Sequence, residues 1–330
     1  MKEDRALLDD AQEPGSVRRS ASVQNFLQLE GRGDVDLVAS GRMRVPSQSP
    51  PTPMFGKCIA MAVPGYIRNA AYLEGIPLWL RSGPPSPVAY LTLALLALIL
   101  VSAPQALAPA WSFPLNDTID VPANGPKPSP TWLLGYRAIV GAACLWPGVS
   151  LLRKKLYWPF VTYTIQSFMM LASRLFLAAV GSVPFGSPIL IPVRVLAAIL
   201  RGPAIITPTI VVSIWWLVLM PLITMSVRGE GRKQVLEYAF SPFVLVVHTL
   251  NFPIAVVEFC GTGEKLTLFD LWVTCLIGYG YLLFYLLCLD RHEVHLYFIL
   301  SPRTAGCAVM YLLIFALYGG VWAAWNGAVI

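Results

Sequence analysis

Long apolar stretches, nearly free of charge for about twenty residues at a time, alternate with short polar clusters from Val88 onward. A helix of that length rises about 30 Å, the thickness of a bilayer's hydrocarbon core. The pattern predicts about seven spans, at 88–110, 132–152, 158–181, 204–226, 238–260, 267–289 and 305–328. The stretch 183–201 differs, because Pro184, Pro188 and Pro192 interrupt it while Arg194 and Arg201 lie on one helical face. It reads as an interfacial or re-entrant connection. The fold class expected is therefore an all-α polytopic bundle.

The region before Val88 has another texture. Residues 1–53 mix both charge signs with Ser, Gly and Pro, end in a proline-rich run from Pro46 to Pro53, and show no sustained apolar period. They predict a disordered cytosolic tail. Residues 54–87 are more apolar but are broken by Pro64, Gly75, Pro77 and Pro84, as an interfacial linker would be. An extra span and its lumenal loop then occupy 88–131, and a six-span membrane domain occupies 132–330.

Composition agrees with burial in lipid. Hydrophobic residues make up 56% of the 330 positions, charged residues 13%, and mean hydropathy is +0.63. Soluble domains carry about a quarter charged residues, so this chain lacks the polar material for a water-facing surface. The net charge of +6 does not signal nucleic acid. Its densest run, Arg153, Lys154 and Lys155, directly follows an apolar span, where positive-inside topology accounts for it. Arg228, Arg232 and Lys233 mark a second loop two spans later, which must share that side. Loop 111–131 then faces the lumen or exterior, and it holds the glycosylation acceptor pattern Asn116, Asp117, Thr118. The N-terminus comes out cytosolic and the C-terminus lumenal, in the endoplasmic reticulum or the plasma membrane. The six cysteines form no CxxC pair and lie mostly inside spans, so neither a metal site nor a disulfide framework is expected, and no cofactor.

Polar groups inside spans are costly and therefore candidates for function. The fifth span carries His248, Asn251 and Glu258, on one stripe with Ala255 at helical periodicity. His248 falls about 15 Å past the cytosolic edge by helical rise, and Glu258 nears the opposite interface. The stripe suits either helix–helix hydrogen bonding or a catalytic or transport role. At the start of the third span, Thr162 approaches the same depth from the same side. A threonine hydroxyl becomes a nucleophile when a neighbouring base takes its proton, and neutral imidazole is the usual base.

These residues carry a family resemblance. His248, Thr249, Pro253 and Glu258 are spaced as in the HTxxxPxxxxE helix of the FAR-17a/AIG1-like proteins, the androgen-induced and androgen-dependent TFPI-regulating group. His248 and Asn251 equally resemble the HxxN of the rolling-stone proteins. Phe160 to Tyr163, Thr207 to Trp216, Ile277 to Tyr279 and Leu296 to Leu300 are similar to further family segments, in the same order, over about 155–328. The resemblance implies a six-helix core and an intramembrane hydrolase of fatty acid esters of hydroxy fatty acids. It maps the nucleophile to Thr162, with Thr164 as the alternative register, and the base to His248; Asn251 is a possible oxyanion donor. Membrane lipids are the implied substrate. The rolling-stone branch implies a non-enzymatic role in cell-surface or fusion processes, and His248 with Glu258 would suit a transporter.

Overall fold

The computed structural model describes residues 85–107, 130–153, 161–182, 190–226, 230–290, 297–304 and 306–328, all within the compact unit Pro53–Ile330. The tail 1–53, Asn116 and nearly all of the linker 54–87 lie outside the described residues. Among the described residues there is no strand. The helices are α1 (Pro87–Ala106), α2 (Thr131–Arg153), α3 (Tyr163–Gly181), α4 (Leu190–Ile199), α5 (Arg201–Ile214), α6 (Met220–Ser226), α7 (Glu230–Ala239), α8 (Pro242–Leu245), α9 (Asn251–Thr262), α10 (Leu268–Phe284) and α11 (Cys307–Ala328). Single π-helical turns at Trp215–Leu219, Val246–Leu250 and Tyr285–Leu289 join α5 to α6, join α8 to α9, and end α10.

Six of the resulting rods are long and apolar enough to cross a membrane: Pro87–Ala106, Tyr163–Gly181, Leu190–Leu222, Pro242–Thr262, Leu268–Leu289 and Cys307–Ala328. The protein is an all-α, multi-pass membrane bundle. Its outward side chains are apolar, with Leu98, Ile139 and Leu217 at 65%, 73% and 75% exposure, as lipid contact requires and water contact penalises. The predicted span 132–152 is present as α2, 23 residues long, but it carries a buried Arg137.

Interhelical hydrogen bonds fix the order of the rods. Ser86 N–H donates to the Pro302 carbonyl, setting the start of α1 beside the start of α11. Asn326 closes both of its amide groups on the Leu266 backbone, so the end of α11 meets the start of α10. α1 lies against α10 and α11, where Ala89, Leu93 and Leu96 pack on Leu282, Leu286 and Tyr311. α5 runs through the middle, with Arg201 to Pro208 buried without interruption. Its approach to α10 needs a glycine: a Cβ on Gly202 would stand 2.6 Å from the Asp270 Cβ, inside any real contact. α10 begins on a capping box, in which Thr267 Oγ1 accepts from Asp270 N–H and Asp270 Oδ2 accepts from Thr267 N–H.

The stretch 183–201 departs from its expected form. From Leu190 it is helical and runs through a turn at Leu200 into α5, in one apolar stretch of 33 residues. Pro192 is the third residue of α4, where its missing N–H breaks no helical bond. Arg194 and Arg201 meet different partners. Arg194 Nε–H donates to the Gly181 carbonyl at the end of α3, while Arg201 pairs with Asp270 and Glu264.

Candidate active site

Three of the rods leave α-helical geometry for one π turn each, and two of those turns meet. A π turn inserts a residue into the ladder and re-aims its side chains, which is why such turns concentrate at functional sites. Trp215 opens one turn and stacks on His248 in another, with ring centroids 4.0 Å apart. Beside that pair, Trp216 Nε1–H donates to Thr249 Oγ1 at 3.1 Å.

Trp215 and His248 form part of the wall of a cavity of about 70 Å³ enclosed by α3, α5, α10, α11 and the 297–300 segment. Five tyrosines line it, Tyr163, Tyr281, Tyr297, Tyr311 and Tyr318, with Thr164 and an apolar end made by Ile210, Ile214, Ile314 and Phe315. The tyrosine hydroxyls are engaged by protein. Tyr281 donates to the Val161 carbonyl at 2.9 Å and Tyr311 to the Leu300 carbonyl at 2.8 Å. Tyr163 pairs with Tyr318, and Tyr297 with Thr164 Oγ1 at 3.2 Å. What the cavity receives from these residues is therefore largely ring surface.

His248 is the basic group in this wall. Its Nδ1 lies 3.1 Å from the Val244 carbonyl one turn earlier. A carbonyl only accepts, so Nδ1 carries a proton and, in the neutral ring, Nε2 keeps the lone pair. The sequence offered no carboxylate to orient this imidazole, and a backbone carbonyl does so instead. The ring sits six residues from Pro242, about 9 Å along the rod rather than the 15 Å expected. The span begins at Pro242, because 230–239 forms a separate helix, α7.

The two threonines take different positions. Thr162 is the N-cap of α3, with extended backbone, and is buried outside the cavity lining. Thr164, one helical step inside, is a lining residue together with His248. The stripe on the fifth span divides at the π turn. His248 belongs to the cavity, whereas Asn251, Ala255 and Glu258 are all buried away from it. Asn251 Nδ2–H donates to the Val247 carbonyl at 3.0 Å. Ala255 packs among Leu171, Leu175 and Ala204.

Glu258 belongs to an ion cluster that the sequence reading did not assemble. Arg137 of α2 clasps it through two hydrogen bonds, Nε–H to Oε2 and Nη2–H to Oε1, each 2.8 Å. Arg174 of α3 approaches Oε1 at 3.5 Å. The signal was present, since both arginines lie within predicted apolar spans, where an ionisable residue requires a partner. The tyrosine wall gave no such signal, because single tyrosines scattered through apolar helices look like ordinary core residues. Among the described residues, no three His, Cys, Asp or Glu side chains come together as a metal-ligand set.

Compared with known proteins, the chain matches no family model, no curated protein and no solved structure.

Proposed function

We propose that this cavity hydrolyses lipid esters within the membrane, with His248 as general base and a threonine hydroxyl at the start of α3 as nucleophile. The observation that carries the reading is that Thr164 and a half-buried, neutral-type imidazole line one apolar cavity. The cavity lining favours Thr164 over Thr162 as the hydroxyl. In the first step Oγ1 attacks the ester carbonyl while His248 Nε2 takes the hydroxyl proton. Collapse of the tetrahedral intermediate expels the alcohol, which leaves with that proton. Water then attacks the acyl-threonine and passes a proton to His248. The acid departs, and the proton returns to Oγ1. The Tyr297 hydroxyl, 3.2 Å from Oγ1, would turn from that bond to the oxyanion as Oγ1 attacks. Fatty acid esters of hydroxy fatty acids, the class implied by the family resemblance, suit apolar walls with few polar groups.

The test is ester hydrolysis by purified protein carrying Thr162→Ala, Thr164→Ala, His248→Ala or Tyr297→Phe. Thr164→Ala and His248→Ala should abolish turnover, Tyr297→Phe should lower it about 10²-fold as loss of an oxyanion donor does, and Thr162→Ala should retain it. Turnover that survives His248→Ala refutes the mechanism. A second reading, a non-enzymatic membrane protein of rolling-stone type, draws on Asn251 and Glu258, which bond to backbone and arginine rather than to the cavity. A wild-type protein with no esterase activity would favour it.

A further inference from the structure

Among the described residues, the ion cluster around Glu258 holds two cations and one anion. Two guanidinium groups, Arg137 and Arg174, share one carboxylate, and the three side chains retain only 5%, 12% and 1% exposure respectively. Arg137 takes the good geometry, with two hydrogen bonds of 2.8 Å. Arg174 has only the looser approach at 3.5 Å, and its buried Nε has no hydrogen-bond partner among the described residues. The neighbouring acids do not correct this. Asp270 and Glu264 are both engaged by Arg201, and Glu264 is largely exposed to its surroundings. A buried cation is tolerated when its donors meet oxygen acceptors, and a guanidinium presents five donors in a planar fork suited to carboxylate or phosphate.

We propose that Arg174 binds the oxyanion of an amphiphile, a carboxylate or phosphate head on an apolar chain, between α2, α3 and α9. Its side chain keeps the largest exposure of the three, 12%, although its Nε is buried, so a ligand would meet the outer edge of the guanidinium first. It lies seven residues before Gly181, about 10 Å inside the end of α3. A head group can descend to that depth while its chain lies along the apolar outer surface of α2. The site is separate from the cavity, none of whose lining residues belongs to this cluster.

Full-length protein in nanodiscs of phosphatidylcholine would be titrated with phosphatidic acid, with oleate, or with the neutral monoolein. Thermal stabilisation and retained lipid in native mass spectrometry would be read together. The expected result is retention of at least one anion over monoolein, with the two anion arms telling phosphate from carboxylate. Arg174→Gln should weaken that anion about ten- to a hundred-fold, the worth of a charge-assisted hydrogen bond, and Arg174→Lys should weaken it less. His248→Ala should bind as wild type does, which separates this site from the proposed hydrolysis. Equal retention of all three lipids by the wild type overturns the proposal, as does anion binding unchanged in Arg174→Gln. Should Arg174→Gln fail to fold, the wild-type comparison and Arg174→Lys still decide it: a partial loss of anion affinity in the lysine variant supports the guanidinium site, and affinity equal to wild type overturns it.

Discussion

Glu258→Gln removes a carboxylate that holds two buried arginines while keeping the side chain's volume. In the native bundle Glu258 is 1% exposed and accepts two hydrogen bonds from Arg137 at 2.8 Å, with Arg174 3.5 Å away. The glutamine keeps one acceptor oxygen but withdraws the negative charge that the two guanidinium groups share. Breaking a buried pair from one side costs about 3–5 kcal/mol, because the uncompensated charge stays buried. For a chain of this size that corresponds to a Tm lower by roughly 6–20 °C in a detergent thermal-shift assay. Arg137→Gln alone should cost a similar amount. The double variant should lose less than the sum of the two, since it removes charge from both partners. A Glu258→Gln protein within about 1 kcal/mol of wild type, or strictly additive losses, would refute the idea that this cluster locks α2 and α3 onto α9.

Two further substitutions test the packing. Gly202→Ala would drive a methyl group to 2.6 Å from the Asp270 Cβ and 2.8 Å from its backbone carbonyl carbon, neither of which can swing aside. It should separate α5 from α10, weaken the Arg201–Asp270 pair, and lower stability by about 1–3 kcal/mol as overpacking does, read as a lower Tm or folded yield. Gly278→Ala places its methyl 2.7 Å from the Tyr318 hydroxyl and 3.0 Å from two of its ring carbons, in a buried side chain. It should cost about 1–3 kcal/mol as overpacking does, displace Tyr318 from Tyr163 and narrow the cavity. The expected sign is a higher KM for long-chain esters with less change for short ones.

The membrane bundle was legible because hydrocarbon thickness imposes a minimum apolar length, and five of the six rods meet it almost where the pattern puts it, while the sixth starts at Leu190 rather than 204. Two departures have local causes. Pro192 looked like a breaker but sits in the first turn of α4, where proline is harmless. The polar stripe of the fifth span presumed an unbroken 3.6-residue period, and the π turn at Val246–Leu250 sends His248 to the cavity and Glu258 to Arg137. No propensity marks such a turn in sequence. The pairing of Glu258 with arginines from two other rods is a long-range contact, so residue types suggested a partner without naming it. His248 was legible as an intramembrane imidazole, but its Val244 carbonyl partner is backbone and thus invisible in the residue list.

The central claim is that Thr164 and His248 act together on an ester in this cavity. The most direct measurement is covalent labelling of the purified protein by a long-chain fluorophosphonate or activated-ester probe, with the modified peptide identified by mass spectrometry. The account predicts an adduct on Thr164 that disappears in Thr164→Ala and in His248→Ala and is competed by lipid ester substrate. An adduct that persists in both variants, or that forms on Thr162 with Thr164→Ala unaffected, would contradict it.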